Sequence, residues 1–158
     1  MEFFTIGVFN SSEREYFKKL SDNLIDTFCD IRQRRGVRGS EYSFVNSNRL
    51  QSKLNELDIK YGHILDLAPT TEIRELQKES DNQLGEHKRV RNTLSKVFII
   101  AYKNKILNKF DFGSFIEKLD AVGAKRIVLF CVEEKPEACH RSIVSDKLEQ
   151  LGYNVTHL

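Results

Sequence analysis

Apolar positions recur along this chain with two different periods. Residues 3–8, 24–31, 59–65, 126–132 and 153–158 are short runs rich in aromatic and β-branched side chains, the pattern of strands held in a buried sheet. The segments between them repeat at helical spacing. Ser12 followed by Glu15 is a capping box that opens a helix with Phe17 and Leu20 turned inward. Residues 46–57 set Leu50, Leu54 and Leu57 on one helical face. A charged helix is predicted from Pro69 and Thr70 to about Leu84, with Gly85 as its punctuation. Residues 86–107 read as one further helix, with Leu94, Val97, Phe98 and Ala101 in register. Residues 111–122 repeat the pattern through Phe112, Phe115, Ile116 and Leu119, and Gly123 stops them as a C-cap. A last helix is predicted over residues 140–151, before Gly152.

Strands alternating with helices predict an α/β protein: a three-layer α/β/α, Rossmann-like domain with a mostly parallel sheet of about five strands and right-handed crossovers. No internal repeat, low-complexity tract or linker interrupts the pattern, so residues 1–158 are expected to form one domain. That length buries a core unaided. With 40% hydrophobic residues, 10% aromatic residues and two prolines, extensive disorder is excluded. A net charge of +2 leaves any nucleic-acid or membrane partner to be argued from local clusters alone. The opening MEFFTIGVFNSSERE lacks a basic region and a long apolar stretch, so no signal peptide and no membrane span are expected. Three cysteines, Cys29, Cys131 and Cys139, argue for reduced thiols and a cytoplasmic setting over a disulfide framework.

Ligands of open parallel sheets bind beyond the carboxyl ends of the strands. That rule selects residues 7–10, 30–40, 66–71 and 133–141, where the unusual side chains fall. The second loop carries Arg32, Arg34, Arg35 and Arg38 close to Asp30, with Gly36 and Gly39 between them. Guanidinium groups bind phosphate or carboxylate bidentately. Asp30 either orients one arginine or acts as a base; the competing reading is a solvated basic loop with an Asp–Arg pair. The stretch FCVEEKPEACHR, residues 130–141, is denser still. Cys139-His140 falls at a predicted helix start, where exposed N–H groups favour an anion and lower a thiol pKa. Cys139 is therefore a candidate nucleophile, although no Cys-x5-Arg phosphatase loop starts there. Cys131, Cys139 and His140 are three soft metal donors, but they lack the paired spacing usual in zinc sites. Cys131 also reads as a small buried hydrophobe. Glu133, just past a strand end, suits acid/base work or the holding of Arg141, against the plain reading of a solvated loop carboxylate.

Taken together, Cys131, Glu133, Pro136, Cys139, His140, Arg141 and Ser142, with Ile6-Gly7 and Asp30-x-Arg32, give a chain that resembles the domain family of unknown function numbered 488. Asp58-Ile59-Lys60-Tyr61 stands where that family has Gly-Ile-x-Tyr. Two stretches depart from it: Leu67-Ala68-Pro69-Thr70 replaces a Leu-Gly-Gly, and Val8-Phe9-Asn10 replaces a His-Ser-Asn. The resemblance implies a fold and a shared pocket, not a reaction, and names no cofactor.

The expected catalytic residues are Glu133, His140, Asp30 and Cys139. The expected ligand contacts are Gly7, Asn10, Arg32, Arg35, Arg141 and Ser142, and no metal ligand is assigned. The leading expectation is a small enzyme, hydrolase-like, acting on a phosphorylated or nucleotide-like anionic ligand. The alternative is a nucleic-acid-binding module built on the arginine loop and on Lys88, Arg89 and Arg91, with Tyr42 and Phe44 as its nearby aromatics. A metal or redox role for Cys131, Cys139 and His140 stands third.

Overall fold

The computed structural model describes residues 1–88 and 90–158. Among them, β1 (Glu2–Ile6), β2 (Thr27–Asp30), β3 (Lys60–His63), β4 (Arg126–Phe130) and β5 (Val155–His157) form one all-parallel sheet in the order β3-β2-β4-β1-β5. The helices are α1 (Glu13–Asp22), α2 (Ser47–Glu56), α3 (Thr71–Leu84), α4 (Lys96–Lys105), α5 (Phe112–Ala121) and α6 (His140–Gln150). This is the three-layer α/β/α architecture that the alternating pattern predicts. None of the described helices is long and apolar enough to cross a membrane.

β4 is the centre of the core, with Ile127, Val128, Leu129 and Phe130 fully buried. Successive side chains on a strand leave by opposite faces, so this continuous apolar run serves two layers at once. Phe130 meets Tyr16 of α1 on one face, at 5.7 Å between ring centroids. α3, α4 and α6 pack against one another in the other layer.

Most predicted boundaries hold because local chemistry sets them. Ser12 and Glu15 close the capping box on α1, Glu15 N–H to Ser12 Oγ at 3.3 Å and Ser12 N–H to Glu15 Oε2 at 2.9 Å. Thr70 caps α3, which ends on Gly85 at φ 67°. Two expectations fail. Leu24 is not in a strand: it sits at φ 49° in the turn that ends α1, 74% exposed, and β2 starts only at Thr27. The single helix over residues 86–107 is also wrong. Its described residues before Ser95 form no helix, and α4 begins after Ser95, whose Oγ accepts from Phe98 N–H. Long-range bonds win over helical spacing here: Leu94 N–H donates to Glu137 O, and Ser95 N–H donates to Gln77 Oε1. Val97, expected inward, is 54% exposed.

The chain crosses from β1 over β4 to β2, continues to β3, and returns to β4 and β5. Neighbouring β1 and β4 thus send their connections in opposite directions, the arrangement that opens a crevice at the carboxyl edge. The two loops that leave these strands are laced together. Val8 and Phe9 N–H both donate to Val132 O at 3.1 Å. A Cβ on Gly7 would lie 2.0 Å from Glu133 O and 2.9 Å from Arg141 Nη1. Gly7, expected as a ligand contact, is instead the point of close approach between the two loops.

Gly7→Ala should therefore cost about 3 kcal/mol through overpacking against backbone. A thermal melt should show Tm falling by roughly 6–12 °C. An unchanged Tm would mean that the loops separate freely.

Candidate functional site

A cleft of about 570 Å³ opens at the carboxyl edge of the sheet, a volume suited to a small molecule. Its walls come from the arginine loop, the start of α3, the loop before α4 and the turn after β4. Arg32, Arg34, Arg38, Arg74, Lys78, Lys88 and Arg91 line it, against Glu75, Asp81 and Glu133. The electrostatics thus favour an anion.

At one side stands a buried Asp30–Arg32 pair. Arg32 donates through Nε to Asp30 Oδ1 at 2.8 Å and through Nη2 to Asp30 Oδ2 at 2.7 Å. Nη2 also reaches Val45 O, Tyr61 Oη donates to Asp30 Oδ2, and the guanidinium lies 4.4 Å from the centroid of the Phe130 ring. Arg32 Nη1 makes no hydrogen bond to the protein. Burial, followed by the Asp30 charge, raises the Tyr61 hydroxyl to about 12, so it remains a donor. Asp30 is fully buried and its carboxylate is filled by these donors. In this structure it holds Arg32 in place.

The floor of the cleft is chemically denser. Cys131 Sγ lies 3.1 Å from Glu133 Oε2, and Cys139 Sγ lies 3.8 Å from His140 Nδ1. The donor atoms of Cys131, Cys139 and His140 all fall within 4.8 Å of one another. His140 Nε2 bonds to Ile31 O at 3.0 Å, and the imidazole packs on Tyr102 with centroids 5.4 Å apart. Glu133 Oε1 faces Arg91 Nη2 at 3.4 Å and Lys88 Nζ at 3.3 Å. Arg91 in turn bonds Asp81 Oδ2 at 2.7 Å and Ala138 O at 2.9 Å.

These contacts set the charge states. Burial works to raise the Glu133 carboxyl, yet Lys88 and the two thiol hydrogen bonds outweigh it and hold the group well below the usual carboxylate range. A hydrogen bond from Cys139 lowers Cys131 to about 6, against burial and the Glu133 charge. Burial, with Cys131, pushes Cys139 up. Burial disfavours the His140 cation, but the Cys131 sulfur overrides it and raises the pKa. Cys139, the candidate nucleophile of the sequence reading, thus lies beside a second thiol at the helix start, and burial with Cys131 works against its ionisation.

Of the expected residues, Arg32, Glu133, Cys139 and His140 line the cleft together. Arg141 does not. Its guanidinium is 1% exposed and donates to the backbone carbonyls of Glu133 and Glu134, so it braces the loop that carries Glu133. Ser142 Oγ turns back to Cys139 O within the first turn of α6. Asn10 bonds Glu134 Oε2 and the Tyr42 hydroxyl. Arg35 is exposed and engages Tyr61. Arg89 lies outside the described residues. Gln77 and Asp81 escape sequence reasoning as site residues, and Arg91 is expected only as part of a basic patch, because the three meet only when α3 and the following loop pack against the turn after β4. Tyr61 had a signal, the Ile-x-Tyr stretch of the resemblance.

Arg91→Ala leaves the buried Asp81 carboxylate without its guanidinium partner and removes one of the two cations facing Glu133, a loss of about 3–5 kcal/mol. Calorimetry should show Tm lowered by roughly 6–20 °C. Arg34→Ala, on the exposed loop, should stay within about 0.5 kcal/mol of the parent. Equal small effects from both would contradict this account of Arg91.

No curated protein and no solved structure matches the chain. A family model does: the Domain of unknown function DUF488, over residues 12–148, from the cap of α1 into α6. That span carries the Asp30–Arg32 pair and the whole Cys131–Glu133–Cys139–His140 floor, and the chain belongs to the DUF488 family.

Proposed function

We propose that this protein is an enzyme that binds a phosphorylated or nucleotide-like small molecule in the basic cleft and cleaves a bond of it hydrolytically. What carries the reading is one juxtaposition: a cleft whose charged lining residues are mostly cationic, with a carboxylate, an imidazole and two thiols at its floor. Arg32 suits the anionic group through Nη1, which has no protein partner while Asp30 and Val45 O fix Nε and Nη2. Arg34 and Arg38 add exposed charge at the entrance. Glu133 and His140 are the floor residues that exchange hydrogen bonds or protons with a bound ligand or water. A carboxylate ionised this firmly orients water more than it abstracts a proton.

The nucleic-acid reading has less support. Tyr42 and Phe44, the aromatics beside the arginine loop, are each 4% exposed and offer no stacking platform. Arg91 is buried on Asp81 and Glu133, so the second basic patch is partly turned inward.

A ligand screen at physiological salt is expected to show stabilisation by a mononucleotide or a sugar phosphate. At about 100 times Kd this amounts to about 2.7 kcal/mol, or roughly 5–10 °C in Tm. Arg32→Lys, which keeps the charge beside Asp30 but loses the fork, should remove most of that shift. Oligonucleotides should bind weakly and release with added salt. Tight oligonucleotide binding with a steep salt slope, about −0.7 per contacted phosphate on single strands, would reverse the ranking. So would binding that survives Arg32→Lys but fails when Arg34, Arg35 and Arg38 are replaced by alanine.

A further inference from the structure

We propose that Cys131, Cys139 and His140 form a binding site for a thiophilic divalent cation, Zn²⁺ by choice of donors, with Glu133 beside the fourth position. Two thiols and one imidazole are a donor set that selects zinc among the common divalent ions. Zn–S near 2.3 Å and Zn–N near 2.0–2.1 Å place the ligand atoms of a tetrahedral site roughly 3.5–3.8 Å apart. Cys139 Sγ and His140 Nδ1 are 3.8 Å apart, and the three donors fit within 4.8 Å. Little rearrangement separates this cluster from a coordination shell.

The second observation is the imidazole's tautomer. A carbonyl oxygen only accepts, so the bond from His140 Nε2 to Ile31 O puts the proton on Nε2 in the neutral ring. Nδ1 then presents its lone pair on the side of the thiols. Metal-binding histidines are held this way, by a backbone carbonyl or a carboxylate on the far nitrogen. Tyr102 fixes the ring plane, and its own hydroxyl is anchored to Leu67 O at 2.6 Å.

The environment argues against the plainer reading of inert buried thiols. A cysteine acting as a small hydrophobe sits among apolar groups. Cys29 does so, in β2, with its thiol pushed up to about 12 by burial and Asp30. Cys131 and Cys139 instead face a carboxylate and an imidazole at the bottom of an open cleft, which gives an ion its way in. Glu133, steered by Arg91 and Lys88, supplies an oxygen donor or holds a coordinated water. The site shares His140 and Glu133 with the proposed catalytic floor, but its test is distinct from that reading, because neither the arginine loop nor turnover enters it.

The test is a metal titration of the full, reduced chain. Zn²⁺ should bind one ion per chain in competition with a chromophoric chelator, with Kd below roughly 1 µM. Co²⁺ should give a thiolate-to-cobalt band in the near ultraviolet and intense tetrahedral visible bands. Cys131→Ser and Cys139→Ser should each weaken Zn²⁺ at least about 100-fold and diminish the thiolate band, whereas Cys29→Ser should leave both readouts unchanged. If a serine variant fails to fold, the reduced wild-type titration decides alone. Absence of stoichiometric Zn²⁺ binding there overturns the proposal, as does a cobalt spectrum without the thiolate band. Isolation of a stable Cys131–Cys139 disulfide whose reduction restores no metal binding also overturns it.

Discussion

Burying the Glu133 carboxylate takes a charge out of water, at an effective cost of several kcal/mol, and much of this protein's functional edge is arranged to meet that cost. Arg91 and Lys88 face one oxygen of the carboxylate and the Cys131 thiol faces the other. Arg91 cannot do this from within a helix continuous with α4. The segment before Ser95 therefore runs as a loop, tied to α3 through Gln77 and Asp81 and to the turn before α6 through Ala138 and Glu137. The same bonds hold Ala138 in place, and Cys139 and His140 follow it directly. One ion-pair network thus connects helix placement, loop path and the position of the reactive side chains.

A second buried arginine system works without a carboxylate. Arg141 donates to the carbonyls of Glu133 and Glu134, while Gly7 lets the β1–α1 loop close over the same backbone. A lysine would lack the fork needed to hold two carbonyls at once. The result is a rigid turn after β4 on which Glu133 is presented. Asp30 and Arg32 form the counterpart at the end of β2, with Tyr61 of β3 completing the set. Both are cases of polar groups used for positioning. The open cationic surface lies elsewhere, on Arg34 and Arg38.

At the floor of the cleft, proximity matters more than the intrinsic chemistry of any one residue. Burial by itself works against ionisation of either thiol. Brought together with an imidazole, the pair divides unequally, Cys131 falling to about 6 while Cys139 rises.

Much of the fold was legible in the sequence, because it rests on local signals: the capping box at Ser12 and Glu15, the left-handed Gly85, the buried run from Ile127 to Phe130. The carboxyl-edge rule also pointed to the loops that carry Arg32, Glu133, Cys139 and His140, which the fold gathers around one cleft. What a one-dimensional pattern does not contain is which polar group meets which. Leu24 and Val97 were misread because apolar character does not reveal a turn or an exposed helical face. Arg141 resembled an anion binder and became a brace; Gly7 resembled a ligand contact and became a clearance for backbone. The metal-like cluster lacked every usual spacing, since Cys131 and Cys139 are joined only when the turn between them folds back from β4 to α6. Sequence by itself determined most elements, their order and the edge where the cleft opens, because helices, caps and buried strands follow from neighbours along the chain. Only the tertiary structure decided the role of each charged or sulfur-bearing side chain, because a buried polar group takes its state from the partners that packing brings within about 4 Å.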